Sequence, residues 1–241
     1  MAPRDRVCAL AALTALALLT GCGGTTSNTS TTPLTGTVST PAARTSTGSI
    51  SGARLPTRPP SAPTRDPGAL PQTASKPATH TGFDAQMRIL WAAIVAGSPR
   101  SGRQVFFPEA AYRQLKAIPD PTSDYVHRLR AFFDLDLAAY RAHVGPTPAR
   151  ARLVAIEADP ALAAWIPAGA CENAVGYWHL PGTRLVYEVG GRRSSFRVSS
   201  LISWRGVWYV IHLGPNPRPV NVGTVDDPQI GPGVAGPSGG C

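Results

Sequence analysis

Apolar residues recur along this chain in three rhythms, and each predicts a different structure. Residues 7–19, VCALAALTALALL, form an unbroken apolar run behind the basic start MAPRDR. From residue 83 the period is close to 3.6. Met87, Leu90, Trp91, Ile94 and Val95 share one face of a helix from Phe83 to Ala96, which Gly97 stops. A second helix opens at Pro108, turns Tyr112, Leu115 and Ile118 inward, and ends at Pro119. Ser123 can cap a third, whose inner face is Val126, Leu129, Phe133, Leu137 and Tyr140 and whose end is Gly145-Pro146.

The period then falls to two. Leu153 to Ala158 reads as a short strand and Pro160 to Trp165 as a helical turn. Four strand-like runs follow at 175–180, 184–189, 195–204 and 207–213, with hairpin chemistry predicted at Pro181-Gly182-Thr183, at Gly190-Gly191-Arg192-Arg193 and at Arg205-Gly206. Helices followed by a meander predict the α+β class: N-terminal helices packed on a curved antiparallel sheet of about four to five strands.

Neither rhythm holds from Gly23 to His80, where Thr, Ser, Pro, Gly and Ala dominate. That composition buries too little apolar surface to offset its ordering entropy. As a flexible coil it would span roughly 40–45 Å, more where proline stiffens it. The expected organisation is a signal at 1–21, a disordered tether at 22–81, one domain at 82–225 and a flexible Gly/Pro-rich tail at 226–241.

The first run ends in Leu19-Thr20-Gly21-Cys22. Thirteen residues are too few for a bilayer span, which needs about 20. A basic start, an apolar stretch and small residues before a cysteine make a signal segment. The four residues resemble the bacterial lipobox, in which diacylglycerol is attached to the cysteine and cleavage leaves it N-terminal. The resemblance implies lipidation at Cys22 and a lipid-anchored protein on the extracytoplasmic face of the cell membrane. Cys8 would leave with the signal, so in an oxidising compartment Cys171 and Cys241 are a candidate disulfide, with free thiols or an intermolecular bond as alternatives.

The stretch SSLISWRGVWYVIHLG (199–214), with the Asn-x-x-Gly-Tyr pattern at Asn173, Gly176 and Tyr177, resembles uncharacterised secreted lipoproteins of actinobacteria. That resemblance implies a tethered envelope domain and no particular activity. The order of helices and then a sheet ending in Trp-Tyr-Val is more remotely similar to the nuclear-transport-factor-two-like, cystatin-like cone, a fold that hosts both enzymes and binders.

Charge changes this picture little. The formal net charge is +9, and Arg44, Arg54, Arg58, Arg65 and Lys76 face only Asp66 in the tether. Such charge serves plain solubility first, with attraction to anionic headgroups or envelope polymers as the functional alternative. An exported chain does not meet nucleic acid, so the expected partners are the membrane, through lipid on Cys22, and a cell-envelope polymer or another envelope protein.

Catalytic motifs give no firmer lead. GPGVAG (231–236) spells a dinucleotide loop and GPSGG (236–240) a nucleophile elbow, yet neither has the strand and helix its chemistry requires. The chain lacks H-E-x-x-H and C-x-x-C, so no metal and no cofactor are expected. Asp134 and Asp136 read as solvated, and His127 and His143 as surface residues. His179 and His212 lie in strands beside aromatics, and period-two counting puts Trp208, Val210 and His212 on one face. Arg184, Glu188 and Arg197 are expected to pair across strands. Trp178, His179, Arg184, Trp204, Trp208 and His212 are therefore the candidate binding residues, and Trp165 joins the tryptophans worth testing.

The expectation is a non-enzymatic binding or scaffolding domain. The alternative is a small cone-fold enzyme with His179 or His212 as general base, oriented by Glu172 or Glu188. A mainly structural spacer is the third reading.

Overall fold

A computed structural model describes residues 66–237 and 239. Its helices are α1 (Gly82–Ala96), α2 (Pro99–Gly102), α3 (Glu109–Leu115), α4 (Pro121–Asp124) and α5 (Ala131–Val144). Its strands are β1 (Arg152–Glu157), β2 (Ala164–Ile166), β3 (Tyr177–Val189), β4 (Arg192–Trp204), β5 (Val207–His212) and β6 (Asp226–Ile230). The fold is α+β, with helices on one face of a six-stranded antiparallel sheet. The signal, Cys22, most of the tether and Cys241 lie outside the described residues. Among those described, no helix is long and apolar enough to cross a membrane.

The helical reading of 83–96 holds. Met87, Leu90 and Ile94 are fully buried, and Gly97 ends α1 in the left-handed conformation at φ 65°. Further along, Asp120 rather than Ser123 supplies the cap, its side chain accepting from Ser123 N at 2.8 Å. The chain then runs from α4 to α5 through one wide turn, Tyr125–Arg130, with i→i+5 bonding. That turn brings Arg128 round to Asp124, with Arg128 Nε 2.6 Å from Oδ1.

The spine of the sheet is β1-β3-β4-β5, with β2 on β3 and β6 on β4. The expected hairpin at Pro181-Gly182-Thr183 does not form; β3 passes straight through it and pairs with β4 from His179–Ile202 to Val189–Arg192. Gly182 takes φ 64° there, and its carbonyl accepts from Gly236 N at 2.8 Å. A Cβ at Gly182 would lie 2.4 Å from Gly236 Cα, so the glycine marks a crossing of the tail rather than a chain reversal. The other two turns form as expected, with positive φ at Gly190-Gly191 and at Arg205-Gly206.

Both faces of this sheet are covered. Tyr187 and Phe196 meet Trp91 of α1, and Phe196 also stacks edge-on against Tyr140 of α5 at 4.6 Å. The opposite face carries Leu180, Arg184, Ser195, Leu201 and Ser203, all buried. Its cover comes from segments whose composition reads as disorder. Residues 66–80, assigned to the tether, bond along it: Gln72 Nε2 donates to Ser203 O at 2.8 Å and Trp178 Nε1 to Ala74 O at 2.9 Å. The tail boundary also moves, because Asp226–Ile230 is a strand and Val234 O accepts from Arg184 Nε at 2.9 Å. Hydrogen bonds between side chains and backbone groups tie both segments down, and hydropathy does not register such bonds.

Candidate functional site

Between the helical layer and one end of the sheet lies a cavity of about 450 Å³. Leu115, Ile118, Leu129, Ile202 and Ile211 form its apolar wall. Its polar groups are Tyr112, Lys116, Asp124, Arg128, Asn173, Tyr177, His179, Ser200, His212 and Asn216, with Glu172 and Cys171 also lining it.

Strand register explains why both predicted histidines arrive here. His179 pairs with Ile202 on the helix-facing side of the sheet. Plain alternation would put His212 on the other side, with Trp208 and Val210, which pair with Ser203 and Leu201. A bulge intervenes: Val210 pairs with Leu201, but the next pair is His212 with Ser200, so Ile211 is an extra residue. The bulge turns His212 into the cavity beside Ser200. This corrects the single face expected for Trp208, Val210 and His212.

His179 Nε2 lies 3.1 Å from Ser200 Oγ. Burial pulls the His179 pKa below the usual histidine range. The His212 pKa falls to about 3, first through burial and then through the positive charges of Arg128, Lys116 and Arg218, with His179 adding to the effect. Both rings are therefore neutral at physiological pH. Neither has a carboxylate hydrogen-bond partner among the described residues, so the pairing with Glu172 or Glu188 is not present there. Glu172 is exposed at the cavity, and Glu188 lies 3.7 Å from Arg152 and 3.8 Å from Arg193.

At the far wall, Arg128 Nη2 reaches Asp124 Oδ2 at 2.6 Å and Tyr112 Oη at 2.9 Å, and Tyr112 Oη donates to Asp124. Burial pushes Asp124 up, but the bonds from Arg128 and Tyr112 outweigh it and leave its pKa lowered. Lys116 Nζ donates to Cys171 O at 2.7 Å, and burial, with Arg128 nearby, lowers its pKa. Asn173 is buried with its Oδ1 unpartnered, and its Nδ2 is 3.5 Å from Tyr177 Oη.

The other predicted residues lie elsewhere. Trp204 and Trp208 are core residues, 1% and 2% exposed, because cross-strand packing and the covering segments enclose them. Arg184 is buried under the tail and bonds Ser195 Oγ at 2.9 Å and the Asp227 carboxylate. It stands directly opposite Arg197, which lies 3.3 Å from Asp226, so β6 supplies the countercharges expected from Glu188. Trp178 packs edge-on against the half-exposed Trp165 at 5.7 Å, with Lys76 over its ring at 4.9 Å. His127 and His143 are exposed, as expected, whereas Asp136 is buried.

Sequence reasoning missed Lys116, Arg128, Ser200 and the unpaired Asn173 amide. Only Asn173 carried a signal, as part of the Asn-x-x-Gly-Tyr pattern. Together the fold and the cavity define an α+β domain with a partly open pocket between its helices and its sheet. No family model, curated protein or solved structure matches this chain.

Proposed function

We propose that the chain is a membrane-anchored extracytoplasmic lipoprotein whose α+β domain binds a small molecule in this cavity without transforming it. The observation that carries the reading is Asn173, a buried residue lining the cavity whose Oδ1 has no hydrogen-bond partner among the described residues. An unmet buried group costs about 1–3 kcal/mol, and a bound donor would recover it. The histidines support binding over general-base chemistry, because the His179 partner is a hydroxyl and among the described residues no carboxylate bonds either ring.

Two measurements test the binding. N-phenyl-1-naphthylamine, an uncharged fluorescent probe, should saturate at one molecule per chain, and filling the cavity wall with Ile118→Trp should abolish its signal. Asn173→Leu should leave the fold as stable or raise its unfolding free energy by about 1 kcal/mol, since it removes the unpartnered Oδ1 and only a long 3.5 Å bond from Nδ2 to Tyr177 Oη. A clear destabilisation would mean that the amide serves the fold. Turnover of any substrate that is lost in His179→Ala or His212→Ala would replace the binding reading with the enzymatic one.

The anchor and the bridge are linked. Cys171 is disulfide-bonded, and the other cysteines are Cys8, Cys22 and Cys241. Lipid on Cys22 and loss of Cys8 with the signal leave Cys241. Gly239 supports this pairing: a Cβ there would lie 2.5 Å from Ser200 Oγ, and Ser200 shares the cavity with Cys171. Metabolic labelling with palmitate should mark the wild type and not Cys22→Ala, and unreduced digests should yield a Cys171–Cys241 peptide. A Cys22–Cys171 peptide would overturn both assignments.

A further inference from the structure

The cavity's polar wall is specific enough to name a ligand class, an inference that rests on the binding reading above. Lys116 and Asn173 face each other in an isolated antiparallel bridge, and both line the cavity. Directly opposed side chains in such a pair start about 4.5–5.5 Å apart. One presents an ammonium and the other an amide oxygen that needs a donor.

The balance of charge points to an anion beside that ammonium. Arg128 is matched by Asp124 in a two-pronged pair, 2.6 Å on each arm. Lys116 has no carboxylate at ion-pair distance among the described residues; its one bond goes to the neutral Cys171 carbonyl. Glu172 and Asp124 favour the Lys116 charge only through space: Glu172 is exposed, where water screens it, and Asp124 is held by Arg128. The Lys116 ammonium therefore keeps donors for a guest, while Leu115, Ile118, Leu129, Ile202 and Ile211 offer an apolar surface.

We propose that the cavity takes a small carboxylic acid with a hydrogen-bond donor next to the carboxylate and an apolar branch, the pattern of an N-acylamino acid or a 2-hydroxy acid. The carboxylate meets Lys116, the adjacent N–H or O–H donates to Asn173 Oδ1, and the branch lies on the isoleucine and leucine wall.

Three probes separate these contacts in NMR titrations of the intact chain. N-acetyl-L-leucine has all three features, 4-methylpentanoate lacks the donor, and N-acetyl-L-leucinamide lacks the charge. N-acetyl-L-leucine should bind at least tenfold more tightly than either, with shifts at Asn173, Ser200 and His212. Lys116→Met should reduce the acid to the level of the amide without weakening the amide, and Lys116→Arg should restore most of the difference. Equal binding of acid and amide, or no effect of Lys116→Met, would overturn the carboxylate assignment while leaving a cavity binder. Equal binding of 4-methylpentanoate would remove the donor contact. Silence from all three probes, together with no uptake of N-phenyl-1-naphthylamine, would remove the binding reading as well.

Discussion

Asp136→Ala lowers the unfolding free energy by about 3–5 kcal/mol, the usual result of removing one partner of a buried ion pair. Asp136 sits on α5 and is 1% exposed. Its carboxylate accepts from Gly214 N at 2.9 Å and Thr224 N at 3.0 Å, and from the Arg218 guanidinium. It thus holds both ends of the loop that leads from β5 to β6. Burial raises its pKa against the pull of Thr224 N–H and Arg218. Desolvation of the carboxylate thus works against its own bonds, and the pair fixes the position of the loop more than it adds net stability. Replacing both partners, as Asp136→Leu with Arg218→Met, should accordingly recover most of the loss. Urea unfolding followed by tryptophan fluorescence measures each variant. A loss below about 1 kcal/mol in the single variant would mean that the loop is held by other contacts.

Acid is the second strong lever. The folded His212 pKa of about 3 lies below the ordinary histidine value of 6.5, so the unfolded chain binds more protons between those pH values. Stability from this group is complete above pH 6.5 and declines as pH falls toward 3. The loss by pH 4 is about 3 kcal/mol. His179, whose pKa burial also lowers, acts in the same direction. His212→Gln stays neutral and should flatten the stability profile between pH 4 and 6.5 relative to wild type. An unchanged acid slope in that variant would place the sensitivity in other groups.

Much of the architecture was written in local pattern. The α1 face, the glycine that stops it, the two glycine turns and the α+β order all follow from periodicity and backbone preference, which act over a few residues. The site was legible only in part. His179 was found because strand alternation continues undisturbed through it. His212 was found for a wrong reason, since its predicted face is the one the bulge at Ile211 takes it away from. Trp204 and Trp208 read as binding residues because they are large aromatics, but an aromatic in a strand packs equally well into a core. Arg184 stood out as a strand cation, and its countercharge Asp227 lies 43 residues further on, beyond the reach of any local rule.

The sequence by itself determined the helix that Gly97 stops, the order of helices before sheet, and where the chain reverses at Gly190-Gly191 and Arg205-Gly206. Tertiary structure decided that residues 66–80 and the tail cover the sheet, that β3 runs through Pro181-Gly182, and that Lys116, Asn173, His179, Ser200 and His212 line one cavity. The division has a physical cause. Periodicity and turn preference come from backbone sterics among near neighbours, whereas a bulge, a buried amide and a covering strand gain their energy only from partners distant in sequence.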